Sequence, residues 1–424
     1  GGRSQSIAEK GIAFLEKLKS TPLAEEVEVT PWWKRRQERF LGLTLPGRDA
    51  VLAVHLAQSP ISGFDHRILD PILGIGLVHA KVRSLQDGFG RFVPREDGIE
   101  ESPYSLPDGI FEYCGSKIST SLLWHAAFYF RAIGLFEGED APSKVLEVGG
   151  GYGGLARLFL NRHPGMTYII VDIAESIFYQ YCYLSLNFPG HKILLVDGPE
   201  GVPGDNFDNY DVILIPPQFM DCLAGVEADL ALNTGSFQEM PGPAAKRYVR
   251  LIEEEMSVRK FFSVNYFIDD KADLEEMIGL EKDRENLFIP DLSRNWDYVY
   301  FDINPPYIYA DASTRNWLEM AAVRHPRSDE KAVKDAAKHY KKALGLPVAG
   351  AGWFGEIWSA VRLDPKPDYV GEALRGLEFF TFGPTDIPNA LHTREKREPL
   401  NGQDALRRLF ERLGEYQWLK SKLD

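Results

Sequence analysis

Residues Val145-Leu146-Glu147-Val148-Gly149-Gly150-Gly151-Tyr152-Gly153-Gly154 place a glycine-rich turn between a short apolar run and a helical stretch whose apolar face holds Leu155, Leu158 and Phe159. Side chains would obstruct such a turn. Glycine permits positive φ and lets a ligand approach the backbone, and the helix that follows begins with amides that have no intrahelical partner. A buried strand, a glycine turn and a helix in that order predict a cofactor lying across the loop.

On both sides of this loop short apolar runs alternate with helical spacing. Strands are expected at 144–148 and 168–173, with helices at 155–160 and 177–186 between and after them. That pitch means a parallel sheet covered by helices. Further strand candidates are 192–196, 211–215, 230–233, 261–267 and 297–303, with a strong helix at 244–256. The fourth core strand is expected at 229–233, because the long helix and the run 261–267 follow it directly. Either 192–196 or 211–215 can be the third. A helix at 119–136 precedes the loop, and Ile7, Phe14, Leu15 and Leu18 give residues 6–18 an amphipathic packing face. The expected fold is α/β, a Rossmann-like seven-stranded, mostly parallel sheet with helical N- and C-terminal additions.

Two cofactor classes compete at the loop. Gly149, Gly151 and Gly154 satisfy the dinucleotide pattern of glycines at positions one, three and six, with an acid, Asp172, in the following strand run. Glu147 decides between them. A carboxylate ending the first strand is awkward beside a pyrophosphate and suits a ligand carrying an ammonium group. S-adenosylmethionine has that ammonium and no phosphate.

With Glu147 followed by Gly149, Gly151 and Gly153, the segment resembles the first motif of the class I S-adenosylmethionine-dependent methyltransferases. The resemblance implies that Glu147 faces the methionine amino group and that the three glycines line methionine and ribose. Asp172 stands where the class places an acid for the ribose hydroxyls. Adenine would lie at the end of the third strand, either at Asp197 and Gly198 or at Pro216, Pro217 and Gln218. A narrower likeness, to bacterial sugar O-methyltransferases, rests on Ala231-Leu232-Asn233-Thr234-Gly235-Ser236-Phe237-Gln238-Glu239-Met240 and on Tyr113-Cys114-Gly115-Ser116-Lys117. It brings Ser116 and Asn233 into the cofactor set and implies a hydroxyl acceptor.

An alcohol acceptor must lose its proton as it is methylated, which calls for a positioned histidine or carboxylate, or for a metal that lowers its pKa. Glu239 is the first candidate, since active-site loops of parallel sheets gather at the carboxyl ends of strands. His125, in the helix before the glycine loop, is the second, although a lone histidine among Trp124, Ala126 and Phe128 ordinarily packs. Asp269 and Asp270 follow the run 261–267, where metal-assisted methyltransferases can place magnesium ligands. Adjacent acids are commonly solvated, and without a tight histidine or carboxylate cluster no metal is expected. Asn304-Pro305-Pro306-Tyr307 matches an amino-methyltransferase motif but follows the last strand run rather than the fourth, so a proline turn is expected there.

Composition bounds the rest. The chain has 424 residues, enough for two or three domains at about 150 residues each. Its 44% hydrophobic and 26% charged residues exclude wholesale disorder. A net charge of −14 repels a polyanionic backbone, so no nucleic-acid partner is expected. Cys114, Cys182 and Cys222 form no metal or disulfide pattern. No apolar run reaches the roughly 20 residues of a membrane span, and 1–10 lacks a signal core, so a cytoplasmic setting is expected. The expected division is 1–110 as a mixed region for packing or the acceptor pocket, 111–325 as the cofactor-binding core, and 326–424 as a helical appendage. Trp32 and Trp33 beside Lys34, Arg35 and Arg36 could stack a base or sugar, but such pairs usually seal a domain, and packing is expected. The partner is a small hydroxylated acceptor, with self-association left open. The alternatives are a carboxyl or nitrogen acceptor, and an NAD-dependent oxidoreductase.

Overall fold

Heptad-like spacing of Ile7, Phe14, Leu15 and Leu18 winds Gly2–Leu18 into helix α1, with those residues buried. The structure, a computed structural model, describes residues 2–21, 23, 27, 29–30, 33–34, 38, 41–42, 48–59, 68–69, 71–89, 92–136, 138–201, 206–268, 296–303 and 316–324. Asp49 caps α2 (Ala50–Ala57) by accepting from the amides of Val51 and Leu52, as short polar side chains do at helix starts. Helix α3 spans Pro71–Phe89. Strands β1 (Phe111–Tyr113) and β2 (Ser116–Ile118) form an antiparallel hairpin. Its two turn residues, Cys114 and Gly115, have φ of 49° and 76°, the positive values that a tight two-residue hairpin loop requires. Ser119 then caps α4 (Thr120–Gly134).

The sheet begins at β3 (Lys144–Val148) and continues through α5 (Gly154–Arg162), β4 (Thr167–Val171) and α6 (Ala174–Asn187). All five residues of β4 are buried, which is why the run lacks the alternation of a half-exposed strand. Then come β5 (Ile193–Leu195), β6 (Val212–Ile215), β7 (Glu227–Thr234), α7 (Gly242–Arg250), β8 (Ser257–Ile268), β9 (Trp296–Ile303) and β10 (Asn316–Arg324). The strand order is β5-β6-β4-β3-β7-β8-β10-β9. Every neighbouring pair is parallel except those made by β10, which runs antiparallel to both β8 and β9.

The fold is thus the expected α/β one, a Rossmann-like and mostly parallel sheet flanked by helices. The third strand is β6, paired with β4 from Tyr168↔Val212 to Val171↔Ile215, and the run near 193 forms an additional short edge strand outside it. The fourth is β7, beside β3. Strand β10 was not among the expected elements. It inserts between two that were, and Glu319, 1% exposed, disguises it by interrupting the apolar pattern. The helix expected at 244–256 ends at Arg250 and passes into a π turn, Leu251–Glu255.

The chain leaves β3 toward β4 and β6, then crosses back to β7 on the other side of β3. Strand order therefore reverses between β3 and β7, and the crevice at their carboxyl ends is where ligands bind in such sheets. Helices α1 and α2 pack against α6, joining the N-terminal segment to the sheet domain. The expected appendage at 326–424, Asp269 with Asp270, and Asn304 to Tyr307 lie outside the described residues.

Candidate functional site

The glycine loop bridges β3 and α5 in a conformation that side chains resist. Gly149, Gly151 and Gly153 have φ of 76°, 55° and 94°, all left-handed. A Cβ at Gly149 would collide with the Ser236 hydroxyl, and one at Gly154 with the His125 ring. The loop is closed by the Gly153 amide donating to the Gly150 carbonyl at 2.9 Å and anchored by the Gly149 amide donating to the Val171 carbonyl at 2.9 Å. Helix α5 starts at Gly153 with no side-chain cap, so its first amides keep their capacity for a ligand.

Two acids flank this loop. Glu147 is 1% exposed, and its Oε2 accepts from the Tyr168 hydroxyl at 2.9 Å. Burial pushes its carboxyl up to about 8, against the lowering effect of the Tyr168 hydrogen bond and with a smaller push from Asp172. Asp172 follows β4 and accepts from Ile173 N at 2.8 Å on Oδ1, from Gly150 N at 2.9 Å and Gln180 Nε2 at 2.7 Å on Oδ2, and from the Ser176 side chain. Burial still raises it to about 7. Gln180 Nε2 also donates to the Gly151 carbonyl at 3.0 Å, so a single amide ties acid and loop together. Two carboxyls driven toward protonation by the same desolvation form a site in which a ligand cation would be strongly preferred.

The far wall comes from the end of β7. Asn233 is fully buried. Its Nδ2 donates to the Val148 carbonyl at 2.9 Å and to Ser236 Oγ at 2.5 Å, and its Oδ1 accepts from Asn265 Nδ2 at 2.9 Å. Ser236 in turn donates to the Val148 carbonyl at 3.0 Å. These bonds hold the segment leading to Glu239, whose Oε2 accepts from the indole N–H of Trp33 at 3.1 Å. His125 meets the Tyr152 ring edge-on, with centroids 5.6 Å apart.

Glu147, Gly149, Gly151, Asp172, Glu239 and His125 all line one cavity of about 170 Å³, with Trp33, Trp124, Phe128, Tyr152 and Tyr248 supplying aromatic wall. Gly153 adjoins it as the α5 cap. Besides Gly153, four expected cofactor residues do not reach the lining. Ser116 is buried within the β1–β2 hairpin, and Asn233 stands behind the wall that it braces. Pro217 and Gln218 belong to a 3-10 turn, Pro217–Leu223, after β6. Asp197, in the alternative adenine segment, pairs with Lys17 at 2.9 Å. Trp33, expected to pack, borders the cavity; Trp32 lies outside the described residues. Among the described residues no cluster of three or more His, Cys, Asp or Glu could hold a metal, and no helix is long and apolar enough to cross a membrane.

Ser236, Tyr168 and Gln180 escaped the sequence reading. Ser236 carried a usable signal, a small polar residue three places past the end of a predicted strand. Tyr168 and Gln180 carried none, since each acts across a strand or helix packing that periodicity alone does not register.

No known family model matches the chain. No curated protein matches it either. Among solved structures it is similar to magnesium protoporphyrin IX methyltransferase from Synechocystis PCC 6803 with bound SAH, at 11% identity and a TM-score of 0.31, over 48% of this chain and 85% of that one. It is also similar to an rRNA methylase from Escherichia coli, at 12% identity and a TM-score of 0.29, over 74% and 100% of the two chains. Mitomycin 7-O-methyltransferase gives 12% identity and a TM-score of 0.28 over 65% and 72%. These likenesses are distant, and no substrate is carried over from them.

Proposed function

We propose that the chain is an S-adenosylmethionine-dependent O-methyltransferase acting on a hydroxyl of a sugar or glycosylated small molecule. One observation carries the reading: a fully buried carboxyl, Glu147, ends the first strand beside a left-handed glycine loop at the sheet's reversal point. An isolated buried carboxylate is unfavourable. The ammonium of an amino-acid tail matches it; a pyrophosphate does not. The cavity residues fit the donor in kind: the left-handed glycines at 149 and 151 present backbone to the cavity, and Asp172 offers acceptor oxygens for hydroxyls.

When bound, S-adenosylmethionine supplies an activated methyl group on a sulfonium. The chain's own part is alignment and proton handling. Glu239 receives the proton of the acceptor hydroxyl at its carboxylate. Trp124, Phe128 and Tyr152 keep water away from the reacting groups. A small acceptor is preferred over a nucleic acid because the chain carries a net charge of −14.

Calorimetry with S-adenosylhomocysteine and with NAD tests the assignment. Micromolar binding of the former, weakened at least tenfold in Glu147→Ala, is the expected result. Binding of NAD alone would instead support the oxidoreductase that the glycine pattern also permits. A screen of methyl pyranosides, carboxylic acids and amines with labelled donor separates oxygen from nitrogen acceptors, and Glu239→Gln should lower turnover at least 100-fold.

A further inference from the structure

Trp33 and Glu239 stand 206 residues apart in the chain, yet both border the same cavity and share a hydrogen bond of 3.1 Å. A tryptophan that only packs satisfies its single N–H donor wherever a carbonyl is at hand. Here the donor goes to the acid assigned to the acceptor proton. Local geometry supports the placement from both sides. The Lys34 amide donates to the Thr30 carbonyl at 3.0 Å, forming the turn that carries Trp33, and Thr30, Val27 and Val29 reach the cavity with it. Opposite, the Glu239 amide donates to the Ser236 carbonyl at 3.0 Å, so the acid is held by its own loop and, through the indole, by the N-terminal segment.

We propose that Trp33 is a positioning residue for Glu239 and a wall of the acceptor subsite, its indole N–H orienting the carboxylate while its ring receives the face of a pyranose. This rests on the methyltransferase reading and deepens it. A neutral donor on one carboxylate oxygen favours the ionised form without neutralising it and fixes the direction of the other oxygen. A base that must be ready before the acceptor arrives needs both effects. The flat, amphipathic indole face suits the apolar side of a sugar ring, so one residue would serve alignment and recognition together.

The test uses full-length protein labelled with 15N-tryptophan and saturated with S-adenosylhomocysteine. Trp33→Phe should delete one indole N–H signal and so identify it. In the wild type that signal should move through an acid titration, whereas in Glu239→Gln it should stay fixed. Methyl pyranosides at millimolar concentration should shift it in the complex. Turnover of any pyranoside accepted in the screen should fall about tenfold in Trp33→Phe with acceptor KM within twofold and the acid limb of the pH profile displaced upward. Trp33→Ala should raise acceptor KM at least fivefold as well, and neither variant should alter S-adenosylhomocysteine affinity. A signal that titrates identically in wild type and Glu239→Gln, or that no pyranoside moves, overturns the proposal while leaving the donor site intact. Failure of S-adenosylhomocysteine to bind at all removes the underlying reading instead.

Discussion

Glu147 is 1% exposed, with its carboxyl raised from an ordinary value of 4.5 to about 8, and Asp172 is raised from 3.8 to about 7. The folded chain therefore holds protons at both positions over a pH range in which the unfolded chain has released them. Stability contributed this way is complete below about pH 4 and is lost as pH climbs toward 8. Glu147→Gln keeps a neutral partner for the Tyr168 hydroxyl and removes that residue's share of the loss. Ligand-free Glu147→Gln should melt close to the wild type at pH 5 and a few degrees above it at pH 9 in scanning calorimetry, while binding S-adenosylhomocysteine far more weakly. A variant melting below the wild type at pH 9 would mean that the ionised carboxylate stabilises the fold by itself. Glu147, the glycines and Asp172 were legible because each sits at a strand end or in a turn, where neighbours in the chain dictate geometry. Trp33 was not legible in this role, because its partner is remote in sequence and its local surroundings read as packing.

At the scale of elements, β10 shows how a buried charge hides a strand. Its segment Asn316-Trp317-Leu318-Glu319-Met320-Ala321-Ala322-Val323-Arg324 has no alternation that a sequence reading can use. Glu319 is nonetheless 1% exposed and pairs with Arg131 of α4 at 2.6 Å, linking the antiparallel strand to the helix ahead of the glycine loop. Such a pair adds modest stability when intact, and removing one partner takes a charge-assisted hydrogen bond from the buried other. Arg131→Met should therefore destabilise by about 2 kcal/mol in urea titration, the scale of one hydrogen bond to a charged group. The double variant Arg131→Met with Glu319→Leu should recover most of that, since neither member of the pair then leaves a charge in the interior. Equal losses in single and double variants would assign the effect to packing around Arg131 rather than to its charge. The alternating strands and helices of 144–187 gave no such difficulty: their apolar runs are long enough that local pattern and tertiary burial agree, although Glu147, Arg157 and Gln180 are buried among them.

Across the whole molecule, the N-terminal helices and the glycine loop of the candidate site meet through α6. Helix α1 packs against α6, and at Gly11 the approach is so close that an added Cβ would stand 2.7 Å from Cδ2 of Phe178. Two residues further along α6, Gln180 donates to Asp172 and to the Gly151 carbonyl. A displacement of α1 that moves Phe178 therefore bears on the loop through one helix. Gly11→Val overfills this contact, at a typical expense of about 1–3 kcal/mol. Its melting temperature should fall by a few degrees, and its affinity for S-adenosylhomocysteine should fall two- to fivefold. Gly2→Val is the control, because nothing lies within 4 Å of that position, and both measurements should stay at wild-type values. A lowered melt with unchanged affinity would show that α6 absorbs the strain before it reaches Gln180, making the N-terminal helices a support for the fold alone. A parallel loss of both would make them part of the machinery that holds the donor.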